Sequence, residues 1–310
     1  MDIRAVGMGV FFAVIWASAF TSSRMIVTEV PPLFALALRF ALSGAVGVLI
    51  ARLMGETWRA LTPAQWRAVV VLGLCQNALY LGLNWVAMQW IEAGLASIIA
   101  ATMPLIVAIL GFLLLGERLR PMGIAGLVLG LIGVAIIMGA RLQGGGTNLT
   151  GIALCFAAAL ALAVATLTVR GASSGGNVMM IVGLQMLVGS ATLWVIAPFF
   201  EDWRVDPNPR LVWAFLYTVI VPGLLATWVW FKLVGRIGAT RAATFHFLTP
   251  FFGVALGAAI LDEALAAGDV IGVGIIMAGI LAVQMSKAPP LSATVRHAEG
   301  PGGTPERPAR

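Results

Sequence analysis

The segment AGLASIIAATMPLIVAILGFLLLGERL, residues 93–119, has a second copy in the chain, because ATRAATFHFLTPFFGVALGAAILDEAL at residues 239–265 aligns with it without a gap. Extended to residues 139 and 285, the alignment at a constant offset of 146 gives ten identities. Two of these are residues that an apolar composition does not favour: Pro104 with Pro250, and Glu117 with Glu263. The pattern indicates an internal duplication.

The rest of the 310-residue chain has the composition of a membrane protein. It is 60% hydrophobic and 10% charged, whereas soluble domains are about a quarter charged. The apolar residues fall in runs of about 20, the length of a helix that crosses the hydrocarbon core. Strands with open edges would leave backbone groups unpaired there. The sequence predicts an all-α polytopic membrane protein with ten transmembrane helices at 6–23, 33–54, 68–90, 94–115, 120–139, 150–169, 178–200, 211–232, 239–261 and 268–285.

The duplication sets the predicted organisation of these spans. The first five-helix repeat covers residues 1–139 and the second covers 150–285, with a linker at 140–149 and a disordered cytoplasmic tail at 286–310. Five is an odd number, so the second repeat must be inverted relative to the first. Inverted repeats are typical of transporters that expose a midplane site to alternate sides. Two similar helix bundles without a moving part are the alternative.

The distribution of basic residues predicts the orientation. With a cytoplasmic N-terminus, eleven Lys and Arg residues flank the spans inside and four flank them outside, so both termini are expected in the cytoplasm of a bacterial inner membrane. The pI near 10.3 then reflects membrane-flanking loops rather than a nucleic-acid partner. Ala17-Ser18-Ala19 imitates a signal-peptide cleavage site, but the counterpart of this segment in the second repeat favours a membrane span.

Several segments resemble a known family. The first span carries Trp16-Ala17-Ser18-Ala19-Phe20, the second carries Arg39-Phe40, and the paired Pro…Glu pattern ends spans four and nine. These features are similar to the EamA family of the drug/metabolite transporter superfamily, and most of all to YddG-type aromatic amino-acid exporters. The resemblance implies a central cavity lined by spans one to four and six to nine. Spans five and ten would be peripheral, and their glycines, which include the Gly126-x-x-x-Gly130 motif, suit close helix packing.

Polar residues within the spans are the candidate cavity residues. Arg39 lies about six residues, or roughly 9 Å, into span two, where a charge must face protein or water. It would bind a substrate carboxylate, or else anchor to backbone carbonyls or reach the outer interface. His246 precedes Pro250, which would free a backbone carbonyl nearby, although a hydrogen-bonded structural histidine is the simpler interpretation. The complete set of predicted cavity residues is Trp16, Ser18, Ser22, Arg39, Gln76, Asn77, Tyr80, Asn84, Trp228 and His246.

The remaining observations limit the function. Asn77, Tyr80 and Asn84 share one helix face, which should point inward. All thirteen carboxylates lie in loops, span ends or the tail, an arrangement that argues against proton-coupled export of lipophilic cations. No phosphate-binding loop, metal-ligand cluster or catalytic triad is found in the sequence, so we expect no enzyme activity, cofactor or metal.

The sequence therefore predicts a secondary transporter, expected as a monomer in the lipid bilayer. It would export amino acids, aromatic or apolar ones, by alternating access. Export of drugs, sugars or nucleobase-like metabolites is the alternative within the same class. An integral-membrane enzyme or assembly protein is the alternative from another class.

Overall fold

A computed structural model of the chain describes residues 3–116, 120–143, 148–168, 176–237, 242, 244–265 and 267–287. Six of the ten helices are continuous over their length. They are α1 (Ile3–Val27), α2 (Pro32–Leu53), α5 (Pro121–Gln143), α6 (Leu149–Thr168), α7 (Val178–Ile196) and α10 (Ala267–Lys287). Glu117, residues 144–147 of the predicted linker and almost all of the predicted tail lie outside the described residues.

The other four helices are interrupted. A wide π-helical segment, Gly73–Leu81, interrupts α3, whose flanking α-helical parts are Pro63–Leu72 and Gly82–Ala87. A second one, Val219–Leu225, lies in α8 between Pro209–Thr218 and Ala226–Ile237. Helix α4 is split into Ala93–Ala101 and Met103–Leu115, and α9 consists of a 3₁₀ turn, Thr244–Leu248, followed by Thr249–Leu261.

These helices have the length and apolarity of membrane spans. Eight helices of the described chain are long and apolar enough to cross a bilayer, and two shorter apolar segments, Phe245–Leu261 and Ala267–Val283, complete the ten. The all-α fold of ten helices is thereby confirmed. The predicted boundaries differ mainly at α3, which begins five residues earlier than expected because Thr62 and Gln65 form a capping box ahead of the apolar run.

The packing of the helices follows the duplication. Helix α2 packs on α7, α4 on α9, and α5 on α10, so that each pair joins equivalent helices of the two halves. Other contacts are matched between the halves: α1 with α9 corresponds to α6 with α4, and α3 with α7 corresponds to α8 with α2. This is the contact pattern of two repeats related by a two-fold axis. Because each repeat has five spans, the two repeats cross the membrane in opposite directions.

Local backbone features repeat at the same offset of 146. The π segments begin at Gly73 and Val219, which differ by 146. Helix α4 ends at Gly116 with φ 63°, and α9 ends at Asp262 with φ 55°, again 146 residues apart. Each of these caps donates its backbone N–H to an equivalent glycine carbonyl, Gly111 or Gly257. The repeats therefore share their irregularities as well as their helices.

Glycines allow the closest helix contact, between α5 and α10. A Cβ atom placed on Gly279 would lie 2.6 Å from the carbonyl oxygen of Gly126, and one on Gly126 would lie 2.7 Å from that of Gly279. No side chain fits at such distances, so only glycine permits this approach. These two helices pack mainly on each other, at the edge of the bundle, which leaves the other eight around its centre.

Candidate substrate cavity

A cavity of about 370 Å³ lies between the two repeats, lined by residues of α1 to α4 and α6 to α9. This volume falls in the range of about 300–1,000 Å³ that is typical of small-molecule sites. Most of the lining is apolar or aromatic. Among the described lining residues Arg39 is the one formal cation, and no carboxylate is present.

One end of the cavity is an aromatic cluster, formed by Phe12, Trp16, Trp230 and His246. The His246 ring lies 5.1 Å from Phe12, 5.6 Å from Trp16 and 5.2 Å from Trp230, measured between ring centroids. The first two contacts are edge-to-face, a favourable arrangement for aromatic rings. The imidazole makes no hydrogen bond with any residue that the structure describes. The cluster offers a flat apolar solute several ring faces and edges.

The 3₁₀ turn explains the position of His246 in this cluster. Pro250 was expected to interrupt a continuous helix and free a carbonyl near residue 246. Instead, Pro250 lies in the first turn of the α-helical part of α9, where a missing N–H costs nothing. His246 lies in the 3₁₀ turn before this helix. The direction of its ring is therefore set by that turn and not by a proline kink.

Arg39 forms a second distinctive part of the cavity. Its side chain is only 7% exposed, and its Cζ atom lies 5.4 Å from the Phe40 ring centroid and 5.8 Å from that of Trp85. These distances allow cation–π attraction. Its Nε atom is buried without a hydrogen-bond partner among the described residues. An unpaired charge in such a position is costly, which makes Arg39 a candidate for binding an anionic group.

The polar face of α3 lies along the cavity. Asn77, Tyr80 and Asn84 are all buried and line the cavity together with Gln76. Asn77 donates from Nδ2 to the backbone oxygen of Gln185 at 2.8 Å, and Asn84 donates to that of Tyr80 at 2.8 Å. The Tyr80 hydroxyl makes no hydrogen bond with a described residue, so it is available to a solute.

Three predicted cavity residues lie elsewhere. Ser18 and Ser22 are buried but do not line the cavity, since their hydroxyls bond to backbone oxygens of α1 itself, those of Ile15 and Ala19. Trp228 does not line this cavity, and its side chain is 55% exposed. Trp230 takes its place: residues two apart on a helix point in nearly opposite directions, so only one of the two tryptophans can face inward.

Sequence reasoning missed Gln185 on α7. Its side chain is 6% exposed, lines the cavity, and has an Oε1 atom without a partner among the described residues. A signal for it was present, because Gln185 is the residue equivalent to Arg39 at the offset of 146. A comparison of every polar residue with its equivalent in the other repeat would have identified Gln185.

Glutamates at the ends of the bundle cap helices of the opposite repeat. Glu201 accepts the N–H groups of Leu33 at 2.9 Å and Phe34 at 3.1 Å, at the start of α2. Glu56 accepts the N–H of Met180 at 2.7 Å, at the start of α7. Met180 is equivalent to Phe34, so a glutamate of each repeat caps the equivalent helix of the other repeat. A carboxylate here offsets both the unpaired N–H groups and the positive end of the helix dipole.

Burial affects the protonation of these carboxylates. The pKa of Glu201 is raised because desolvation outweighs the hydrogen bonds from Leu33 and Phe34. The pKa of Glu263 is raised for the same main reason, with a further increase from Glu92, while the backbone N–H groups of Gly94 and Ala93 and the charge of Arg24 act in the opposite direction. Both groups therefore take up a proton more readily than free glutamate does.

Arg24 also differs from its expected role. Its position at a span end predicts a side chain that reaches the membrane surface. Instead it donates from Nη1 to the backbone oxygen of Met88, at the end of α3. Helix ends leave carbonyl groups unpaired, and a cationic donor is a favourable partner for them.

Ten apolar helices in two repeats, arranged around a cavity of small-molecule size, define a multi-pass membrane transporter. The chain belongs to the EamA-like transporter family, which residues 3–139 and 149–285 match separately. The two matched segments are themselves 146 residues apart, in agreement with the alignment of the repeats.

Individual relatives cover nearly the whole chain. The uncharacterized transporter YvbV of Bacillus subtilis is 26% identical over 274 residues, which are 88% of this chain and 89% of that protein. A probable amino-acid metabolite efflux pump of Escherichia coli is 23% identical over 285 residues, covering 88% and 92% of the two chains. A protein solved by crystallography, 21% identical, superposes with a TM-score of 0.66 over 97% of this chain and all of that one. This last similarity supports the fold.

Proposed function

We propose that the protein is a secondary transporter that exports amino acids, aromatic or apolar ones, by alternating access. The observation that carries this proposal is the buried Arg39, unpaired in a cavity that also contains a four-ring aromatic cluster. An amino acid with an aromatic side chain matches both features, since its carboxylate suits a guanidinium and its ring suits the cluster. The E. coli relative, a probable amino-acid metabolite efflux pump, agrees with this substrate class.

The repeat architecture supports the mechanism. The cavity lies between the halves, so that rocking one repeat against the other would expose it first to one side of the membrane and then to the other. The glutamate caps join the halves at both ends of the bundle, through Glu201 at one end and Glu56 at the other. Alternating access would require such cross-repeat contacts to break on one side at a time.

The orientation and the transport unit are part of the same proposal. The excess of Lys and Arg in one set of loops supports cytoplasmic termini in a bacterial inner membrane. The cavity is built from one chain, which supports a monomer as the transport unit.

Thermal stabilisation of the purified protein tests the substrate class. A solute that binds the folded state raises the unfolding temperature by mass action. We expect L-phenylalanine or L-tryptophan to raise it, and glucose, uracil and a lipophilic cation to leave it unchanged, because none of these three places an anion on Arg39. Stabilisation by one of the latter solutes and by no amino acid would overturn the proposed substrate class in favour of another transported solute.

A further inference from the structure

Two cavity residues have buried polar atoms without partners among the described residues, and they are chemically complementary. Arg39 has an unpaired donor, Nε, and Gln185 has an unpaired acceptor, Oε1. Both side chains are more than nine-tenths buried and both line the cavity. Buried polar groups are ordinarily hydrogen-bonded, so a donor and an acceptor left unpaired in one cavity point to a ligand that supplies both partners.

The two residues occupy equivalent positions in the two repeats. Position 39 plus the offset of 146 is position 185, and the next pair, Phe40 and Met186, also lines the cavity. Their helices, α2 and α7, are in direct contact, and Ser190 on α7 donates to the backbone oxygen of Ala37 on α2 at 2.7 Å. The pseudo-two-fold relation therefore directs one polar side chain from each repeat into the same cavity.

The backbone around Gln185 is fixed while its side-chain oxygen remains available. Asn77 on α3 donates to the backbone oxygen of Gln185, which ties this turn of α7 to the polar face of α3. The side-chain oxygen is not used in that contact. It is buried and has no partner among the described residues, so a donor from a solute would satisfy it.

We propose that Arg39 and Gln185 together bind the two charged groups of an α-amino acid, Arg39 the carboxylate and Gln185 the ammonium. This inference rests on the proposed function and extends it to the amine. An ammonium supplies three donors and no acceptor, so an amide oxygen is a suitable partner. The pair thus selects amino acids over carboxylic acids and over amines.

Binding of three matched compounds to the purified full-length protein tests this pair. L-Phenylalanine has both charged groups, 3-phenylpropionate lacks the amine, and 2-phenylethylamine lacks the carboxylate. We expect the wild type to bind L-phenylalanine at least about tenfold more tightly than either analogue, since one hydrogen bond to a charged group contributes about that factor.

Gln185→Met keeps the length of the side chain and removes the acceptor. It therefore separates the role of Gln185 at the ammonium from that of Arg39 at the carboxylate. We expect this variant to lose about tenfold in affinity for L-phenylalanine and to bind 3-phenylpropionate as the wild type does. Val195→Met, at an exposed position of the same helix that does not line the cavity, should retain the preference for L-phenylalanine. An unchanged unfolding temperature shows that Gln185→Met is folded. Gln185→Asn, whose side chain is one methylene shorter, should show the same selective loss of affinity for L-phenylalanine. This variant replaces Gln185→Met in the test if Gln185→Met does not fold.

The outcomes separate the two proposals. If the wild type binds L-phenylalanine and 3-phenylpropionate equally, or if Gln185→Met weakens both to the same extent, Gln185 does not bind the amine. The pair is then refuted, while a carboxylate site at Arg39 stands. If the folded wild type binds none of the three compounds, the proposed substrate class fails and this inference fails with it.

Discussion

Oε2 of Glu263 accepts the backbone N–H of Gly94 at 2.8 Å, across 169 residues of sequence. Oε1 of the same carboxylate accepts the N–H of Ala93 at 2.6 Å, so that one side chain from the loop after α9 caps the first turn of α4. A carboxylate accepts at both oxygens, whereas an amide has one acceptor oxygen and a nitrogen that only donates. This contact joins the repeats and requires an acceptor at both oxygen positions.

Glu263→Gln should therefore weaken the cap at neutral pH. The amide nitrogen faces an N–H donor and one hydrogen bond is lost, so we expect the variant to be about 1–2 kcal/mol less stable. Thermal unfolding in detergent measures this difference. Asp206→Asn, which neutralises an exposed carboxylate in the loop between α7 and α8, should leave the unfolding temperature unchanged.

The raised pKa of Glu263 predicts how that difference changes with pH. On acidification the folded protein binds a proton at Glu263 before the unfolded chain does, so folding is favoured as the pH falls. The unfolding temperature of the wild type, measured relative to Glu263→Gln, should rise as the pH falls from neutral through the raised pKa. It should level off below the ordinary pKa of glutamate. A relative stability that falls over this range would show that the folded-state pKa is lowered instead.

The two tyrosines of the chain provide a matched pair. Tyr80 presents an available hydroxyl to the cavity, whereas Tyr217 donates its hydroxyl to Ser18 Oγ at 2.7 Å and its side chain is 39% exposed. We expect Tyr80→Phe to reduce transport several-fold, and Tyr80→Ala to reduce it further with near-normal expression. Tyr217→Phe should leave transport unchanged. Equal transport by Tyr80→Phe and the wild type in vesicles would show that the Tyr80 hydroxyl does not bind the substrate.

Cysteine labelling tests the orientation of α8. Arg210 and Arg236 are exposed near opposite ends of this helix. After replacement of Cys75 and Cys155, we expect an impermeant thiol reagent to label Arg210→Cys in intact cells and Arg236→Cys only after permeabilisation. Trp203→Cys, in the preceding loop, should behave like Arg210→Cys. Labelling of both helix ends from outside would contradict the proposed crossing.

Much of this structure could be predicted from the sequence because the membrane imposes strict rules. Ten apolar runs require ten helices, and the alignment of Pro104 with Pro250 reveals the duplication. The π segments in α3 and α8 could not be predicted, since their hydrogen-bond shift depends on packing between helices.

The candidate site was predicted less completely than the fold. Arg39 and the polar face of α3 stand out because polar groups are costly in lipid. The sequence could not distinguish Trp228 from Trp230, because an aromatic residue suits either lipid or a cavity, and only the helical rotation that separates the two residues decides between them. Gln185 was missed because its importance lies in its equivalence to a residue 146 positions earlier.

Proton dependence is a further prediction. Among the described residues the cavity contains no carboxylate, and His246 is its one group that ordinarily titrates near neutral pH. A zwitterionic amino acid carries no net charge across the membrane. Downhill flux from reconstituted vesicles should therefore persist without a pH gradient. Flux that disappears without the gradient would show obligatory proton coupling, and loss of only the gradient-dependent part in His246→Ala would assign that coupling to the histidine.

Counterflow of radiolabelled L-phenylalanine into vesicles preloaded with the unlabelled amino acid requires binding, reorientation and release, and it therefore tests whether the protein transports amino acids. We expect the wild type to accumulate the label, and Arg39→Gln to reduce the initial rate at least about tenfold through loss of the carboxylate partner. Lys232→Gln, which removes an exposed cation beside Trp228, is the matched control and should be unaffected. Equal counterflow by folded Arg39→Gln and the wild type would contradict an amino-acid site built on Arg39.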